Sequence, residues 1–238
     1  MNYKEVKKIV LPEKKQKEEK YNIFVSWFVR PLSVACTVPL VNSKVKPITI
    51  TKISILCSLA GFFFVSFGTS MYARIIGWFM FFVWSVFDGV DGNLARCTNS
   101  CSLLGDLWDT MGGYLAMVLI NFSAGIAGFY DNSGFVFFPK HFCIILGGAA
   151  AILAIFPRLI MHKKKSSVGN AEDIKSISDK NTFNMTSVFA MNIVSPSGFM
   201  QIIFLFSIVF HLLELFAVAY FIVNSTITAA SLRRLLKE

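Results

Sequence analysis

The sequence predicts an all-α integral membrane protein, a helical bundle of about six transmembrane helices with an interfacial amphipathic helix before the first of them. Three observations support this prediction: 55% of the 238 residues are hydrophobic, only 16% are charged, and the mean hydropathy is +0.60. In water such a chain would expose large apolar patches, whereas lipid accepts apolar surface. Since a span needs about 20 apolar residues, the length allows about six spans and little room for a soluble domain.

Residues 1–46 are predicted to form a cytosolic N-terminal segment and the interfacial helix. Residues 1–21 are charged and lack the basic-then-apolar layout of a cleavable signal, so no cleavage is expected. The next segment has the pattern of an amphipathic helix interrupted at Arg30–Pro31. This pattern favours a helix that lies in the membrane interface rather than crossing it.

Residues 47–238 are predicted to form the six-span membrane domain. A polar loop covers residues 163–184, and the apolar remainder is too long for one crossing, so we divide it near His211–Glu214. The first four predicted spans are approximately Ile48–Phe67, Met71–Val90, Leu104–Tyr130 and Phe142–Met161.

The net charge of +9 does not indicate nucleic-acid binding, because the lysines and arginines stand in blocks beside the apolar stretches. Alternating crossings put all of them except Arg74 and Lys140 on one side, which the positive-inside rule identifies as the cytosol. We therefore expect a multi-pass protein with both termini and the loop containing Cys97 and Cys101 in the cytosol. Structural disulfides are not expected there.

Four aspartates near the ends of predicted spans are the candidates for chemistry, because acids near a bilayer are seldom kept without a purpose. Asp88 and Asp91 are three residues apart and so share a helix face, and Asp109 can meet them from the next helix. Three carboxylates without histidine or thiolate suit a hard cation such as Mg²⁺ or Mn²⁺. The alternative is that the acids, including Asp106, only cap helix ends and pair with arginines.

The spacing of these residues forms a specific motif. DGVDGNLAR at residues 88–96 is followed, after eight residues, by GDLWD at residues 105–109. This arrangement resembles the signature of the CDP-alcohol phosphotransferases, D-x-x-D-G-x-x-A-R-x8-G-x3-D-x3-D. Upstream, RPLS at residues 30–33 and KPITIT at residues 46–51 resemble that family's interfacial helix and its entry to the first span, although Ile48 stands where asparagine is usual.

The resemblance implies a transferase of phospholipid or polar-lipid synthesis. An acceptor hydroxyl of a small polyol or phosphorylated polyol would attack a CDP-alcohol, of which CDP-diacylglycerol is the favoured donor, at the cytosolic face, and CMP would leave. The family also implies Mg²⁺ or Mn²⁺ and a homodimer. By the same resemblance, the metal ligands would be Asp88, Asp91 and Asp109, and the CDP end would be lined by Thr51, Asp91, Gly92, Ala95, Arg96 and Gly105.

One departure from the family pattern concerns the base. The fourth aspartate is expected four residues after Asp109, where this chain has Gly113. Gly112–Gly113 could instead serve close helix packing. The hypotheses left are that Asp106 is a relocated catalytic base, or that a phosphate on the acceptor takes the proton, with Gly113 leaving room for a bulkier acceptor.

Arg158 is the candidate for binding the acceptor, because it lies inside the apolar fourth span, where a charge is costly without a partner. His141, His211 and Glu214 fall at the opposite face and are predicted to be surface residues. Two other functional classes stay open: a catalytically silent relative that binds CDP-alcohol or metal, and an ion-coupled transporter, whose acids should lie nearer the bilayer midplane.

Overall fold

The computed structural model describes residues 1–12, 22–131, 139–167 and 192–237, and all regular secondary structure in these ranges is helical. The prediction of an all-α membrane bundle is confirmed. A π-helical turn, Val25–Val29, leads directly into the second α-helix. In chain order the α-helices are α1 (Tyr3–Val10), α2 (Arg30–Val41), α3 (Pro47–Phe67), α4 (Met71–Cys97), α5 (Leu103–Tyr130), α6 (His141–Ser167), α7 (Phe199–Val209) and α8 (Leu213–Lys237).

Five of these helices, α3, α4, α5, α6 and α8, are long and apolar enough to cross a bilayer. The chain is therefore an integral membrane protein. The predicted division near His211–Glu214 is confirmed, because α7 ends at Val209 and α8 begins at Leu213. However, α7 has only 11 residues, fewer than the roughly 20 that a span needs. The predicted polar loop starts late, since α6 continues to Ser167; residues 168–184 of it lie outside the described ranges.

The interfacial helix differs from its prediction at Arg30–Pro31. The backbone stays helical there, because the π-helical turn continues into α2: the Arg30 N–H donates to the Val25 carbonyl oxygen, five residues back, and Pro31 follows in the first turn of α2. The apolar side chains Trp27 and Phe28 are 74% and 54% exposed, as suits a helix that faces lipid. On its other side, Val34 packs against the buried Val6 of α1.

Glycines allow the spans to approach closely. A Cβ on Gly77 of α4 would come within 2.9 Å of the Gly61 carbonyl oxygen of α3. A Cβ on Gly125 of α5 would come within 2.8 Å of the Gly147 Cα of α6. Small residues at such crossings are typical of membrane helices, where packing rather than hydrophobic burial drives association.

A buried ion network closes the end of the bundle that is remote from the four aspartates of the motif. Asp131, at the end of α5, accepts hydrogen bonds from Arg74 Nη1 at 3.2 Å and from the Leu213 backbone N–H at 3.4 Å, and lies 3.0 Å from His211 Nδ1. Glu214 is only 3% exposed and lies 3.9 Å from Lys140. The prediction that Glu214 is a surface residue is therefore wrong, whereas the His211 side chain is 55% exposed.

We expect Asp131→Asn to lower the free energy of unfolding by about 3 kcal/mol or more, because the nearly buried Arg74 would lose its counter-ion. Denaturant unfolding in detergent micelles measures this change. Tyr130→Phe is the control, since Tyr130 is 60% exposed on the same turn. An Asp131→Asn protein as stable as the control would show that the network contributes little to the fold.

Candidate active site at the ends of helices α4 and α5

A short turn joins the two helices that hold the four aspartates of the motif. Helix α4 ends at Cys97, and Ser102 caps α5 by accepting a hydrogen bond from the Gly105 N–H at 3.1 Å. Asp106 falls in the first turn of α5, where a carboxylate interacts favourably with the helix dipole. Because the helices are antiparallel, the last turns of α4 lie beside the first turns of α5.

The structure brings three predicted carboxylates together. The side chains of Asp88 and Asp109 are within hydrogen-bonding reach of each other, and Asp91 interacts electrostatically with both. Asp106 is exposed and interacts electrostatically with Asp109. The acids thus form one cluster across α4 and α5 rather than separate helix caps.

Asp91 is held by its neighbours. The Thr51 hydroxyl of α3 donates a hydrogen bond to Asp91 Oδ2, and the Gly92 N–H donates to Asp91 Oδ1 at 2.5 Å. Asp91 is only 4% exposed. This arrangement places the predicted CDP-end residue Thr51 at the carboxylate cluster.

The donor set fits a hard divalent cation in part. In this conformation no three His, Cys, Asp or Glu side chains of the described ranges converge as metal ligands do. Two ionised carboxylates as close as Asp88 and Asp109 repel each other unless a proton or a cation lies between them, and an all-oxygen pair suits Mg²⁺ or Mn²⁺. Each Asp91 oxygen accepts one hydrogen bond, from Thr51 or from the Gly92 N–H, and so keeps a lone pair with which Asp91 could join such a site.

Two arginines border the cluster and meet at one amide. Asn93, which is fully buried, accepts hydrogen bonds at Oδ1 from Arg30 Nη1 at 3.4 Å and from Arg96 Nη2 at 3.1 Å. Its Nδ2 donates to the hydroxyls of Ser33 and Thr37, at 3.3 and 3.4 Å. Asn93 therefore ties α2 to α4 and holds both guanidinium groups on one side of the site.

The same arginines interact with the carboxylates, Arg30 with Asp88 and Arg96 with Asp91 and Asp109. Sequence reasoning selected Arg96 but gave no role to Arg30. The signal was present, since Arg30 opens the RPLS segment of the interfacial helix. What the sequence could not show is the docking of α2 on α4, where a Cβ on Gly89 would lie 2.9 Å from Ser33 Cβ.

The remaining residues predicted at the CDP end lie close by in the fold. Gly92 and Ala95 follow Asp88 by four and seven residues on α4, so they share its face. Gly105 lies in the first turn of α5, where the Ser102 hydroxyl is the only group of the described residues within 4 Å of an added Cβ. These small residues leave the backbone beside the carboxylates accessible to a ligand.

The two adjacent glycines of α5 differ. A Cβ on Gly112 would lie 3.2 Å from Ile55 of α3, so Gly112 serves close helix packing. A Cβ on Gly113 would meet no atom of the described residues within 4 Å. The packing explanation therefore fits Gly112 and not Gly113, which borders open space one turn beyond Asp109.

The structure does not bring Arg158 to the carboxylates. Arg158 interacts with Tyr114, which lies five residues after Asp109 on α5 and hence about 140° around the helix. The His162 ring packs edge-on against the Tyr114 ring, with 5.9 Å between centroids. Arg158, on α6, thus lies beside a face of α5 different from the one that carries Asp109, and its predicted role toward the acceptor stays a prediction.

Comparison with known proteins agrees with this architecture. A sequence model of the CDP-alcohol phosphatidyltransferases matches residues 44–228, which include the four aspartates, both glycines and Arg158. A search of curated proteins gave no significant match. Since the family match covers well over half of the 238 residues, the chain belongs to the CDP-alcohol phosphatidyltransferase family, whose members transfer a phosphatidyl group from a CDP-alcohol to an acceptor.

Proposed function

We propose that this protein is a divalent-metal-dependent transferase of phospholipid synthesis. It would move the phosphatidyl group of CDP-diacylglycerol to a hydroxyl of a small polyol or phosphorylated polyol and release CMP. The observation that supports this most is the meeting of Asp88 and Asp109 beside Arg30 and Arg96, because carboxylates and guanidinium groups side by side suit a metal-bound pyrophosphate.

In the proposed reaction, the acceptor oxygen forms a bond to the β-phosphorus, and the bond from that phosphorus to the bridging oxygen breaks. CMP leaves with the bridging oxygen, and the hydroxyl proton passes to a base. Arg30 and Arg96 bind phosphate oxygens, and Thr51 keeps Asp91 oriented. A cation held by Asp88, Asp91 and Asp109 would offset the pyrophosphate charge and that of the leaving phosphate.

Asp106 is the proposed base. It is exposed on the first turn of α5, one turn before Asp109, and interacts with it electrostatically. A phosphate on the acceptor is the alternative proton acceptor. In either case the open space at Gly113 admits the acceptor beside the carboxylates, where the family pattern has a side chain.

Release of CMP tests the proposal directly. Purified protein in nanodiscs is offered CDP-diacylglycerol, Mg²⁺ or Mn²⁺ and a panel of polyols and phosphorylated polyols. We expect CMP and a phospholipid whose mass identifies the acceptor, and no CMP when a chelator is present. Donor binding without CMP release, whichever acceptor is offered, would favour the second candidate function, a catalytically silent relative that binds CDP-alcohol. The observation that favours this candidate is Gly113, which stands where the family pattern has an aspartate.

Asn93 offers a test of the phosphate-binding arginines. We expect Asn93→Ala to raise the KM for the CDP-alcohol about tenfold, with a smaller change in kcat, because both guanidinium groups lose the acceptor that orients them. Steady-state CMP release measures both constants. Thr49→Ala, exposed at the start of α3, is the control. An unchanged KM would separate Asn93 and its two arginines from donor binding.

We also propose that the site and both termini face the cytosol, because the basic residues cluster at that end. Cys101 is exposed in the turn between α4 and α5. An impermeant thiol reagent should therefore label it in inside-out vesicles and not in intact cells. Cys101→Ser is the control for other thiols. Labelling from outside intact cells would reverse the proposed orientation.

A further inference from the structure

A cation lies within a span and away from the carboxylate cluster. Arg158 is half-buried on α6, and the described residues provide no carboxylate within ion-pair distance of it. Its electrostatic neighbour is the hydroxyl of Tyr114, which is a neutral group. Because a guanidinium inside a membrane span is costly without an anion close by, this position favours an anionic ligand.

Two further polar groups accompany Arg158. The Tyr114 hydroxyl oxygen is buried and has no hydrogen-bond partner among the described residues. The ring of the exposed His162 contacts the Tyr114 ring edge-on. A guanidinium, a phenol and an imidazole can all donate hydrogen bonds to phosphate oxygens.

An apolar groove starts at the same tyrosine. It has a volume of about 370 Å³ and opens sideways from α5. Two of its residues, Leu107 and Met111, are 64% and 45% exposed, so the groove faces lipid rather than the bundle interior. The residues that line it are Leu107, Thr110, Met111, Tyr114, Leu115 and Val118.

The groove and the cation therefore match the two parts of an amphiphile. Tyr114 belongs to both, since it lines the groove and lies beside Arg158. The groove residues recur every three to four positions and so occupy one face of α5, roughly opposite the face that carries Asp109. A ligand bound here would not occupy the carboxylate site.

We propose that this lateral site holds one anionic glycerophospholipid of the surrounding leaflet. Its phosphate would lie against Arg158, Tyr114 and His162, and one acyl chain would fill the groove on α5. The positive charge of Arg158 favours an anionic headgroup. Because the groove opens toward lipid, the ligand would enter from the bilayer. This proposal concerns binding and does not depend on transferase activity.

Binding can be measured without turnover. The protein is delipidated in detergent and titrated with phosphatidylglycerol or phosphatidylcholine of identical acyl chains, and retained lipid is counted by native mass spectrometry. We expect wild type to bind phosphatidylglycerol at least tenfold more tightly than phosphatidylcholine. Arg158→Gln should weaken phosphatidylglycerol binding tenfold or more, whereas Lys44→Gln, an exposed lysine at the same end of the bundle, should leave it unchanged.

Two variants that keep the arginine test the site even if Arg158→Gln fails to fold. Tyr114→Phe removes only the hydroxyl and should weaken phosphatidylglycerol binding severalfold. Met111→Trp narrows the groove and should weaken it further.

Equal binding of the two lipids by wild type would overturn the proposal, and so would unchanged phosphatidylglycerol binding in all three variants. Displacement of the lipid by glycerol phosphate would overturn it as well, because it would identify the occupant as a soluble acceptor. Crosslinking of two copies of the Met111→Cys variant, without retained lipid, would identify the occupant as a second chain and would also overturn the proposal.

Discussion

Asp88→Asn and Asp109→Asn are each expected to reduce CMP release by about a thousandfold or more while leaving the bundle folded. In the proposed mechanism, either change removes a hard oxygen ligand of the cation that offsets the pyrophosphate charge, and such a cation supplies several kcal/mol of transition-state stabilisation. The bundle should not suffer, because the two carboxylates face each other. An amide at one position removes a like charge and can donate a hydrogen bond to the other.

The measurement has two parts. CMP release is followed with saturating Mn²⁺ and with chelator, and thermal unfolding is recorded under the same two conditions. Wild type should gain about 2.7 kcal/mol of stability at a metal concentration 100 times its Kd, and the variants should gain much less. Glu5→Gln is the control for the loss of a carboxylate, because Glu5 lies on α1 and is not one of the clustered aspartates of α4 and α5. Full activity in either aspartate variant would remove the metal site from the mechanism.

Hydropathy predicted the first spans well. Helices α3 and α4 begin within one residue of their predicted starts, because glycine, serine and proline mark the turns between apolar runs. The predicted end of α4 was several residues early, because the polar motif DGVDGNLAR hid a continuous helix. Charged residues at the end of a span thus shorten a hydropathy prediction without ending the helix.

Two other differences lie in the C-terminal half of the chain. The described helix α7 has 11 residues, fewer than a span needs, and the part of the predicted fifth span before residue 192 lies outside the described ranges. Glu214 was expected at the surface, but its burial depends on Lys140 and on the turn before α8, which are distant in sequence. Long-range partners decide whether a polar residue is buried.

In the candidate site, too, local spacing predicted some features, whereas others depend on contacts between distant helices. The spacing predicted that Asp88, Asp91 and Asp109 come near one another, because helical periodicity and one short turn fix their positions; in the structure Asp88 and Asp109 are within hydrogen-bonding reach, and Asp91 interacts with them electrostatically. The contribution of Arg30 required knowledge of how α2 docks on α4 through Asn93. The position of Arg158 likewise depends on how α6 packs against α5, because that packing places Arg158 near Tyr114 and not near Asp109.

Asp106→Asn is expected to lower kcat by 10²- to 10⁴-fold, the range that general-base help supplies. Donor binding should stay within about twofold of wild type, because Asp106 is exposed and forms no described hydrogen bond to Thr51, Arg30 or Arg96. Rapid-quench measurement of CMP formation gives kcat, and binding of CDP-diacylglycerol is measured separately. If kcat is unchanged, Asp106 is not the base, and the phosphate of the acceptor is left as the proton acceptor.

Gly113→Asp completes this test, because it restores the carboxylate of the family pattern. The part of the chain that the structure describes leaves room for the side chain, since a Cβ at position 113 has no described neighbour within 4 Å. In the wild-type background we expect no gain, because in the proposed mechanism Asp106 already takes the proton and the new side chain would occupy space for the acceptor. In the Asp106→Asn background we expect kcat to recover by at least tenfold, because the new carboxylate stands one turn after Asp109, where the family pattern has its base, and can take the proton in place of Asp106. Gly113→Asn in the same background is the matched control, with the same size and no base. A tenfold gain from Gly113→Asp alone would show instead that the glycine is a simple loss of the base, and it would favour the silent-relative interpretation over a relocated base.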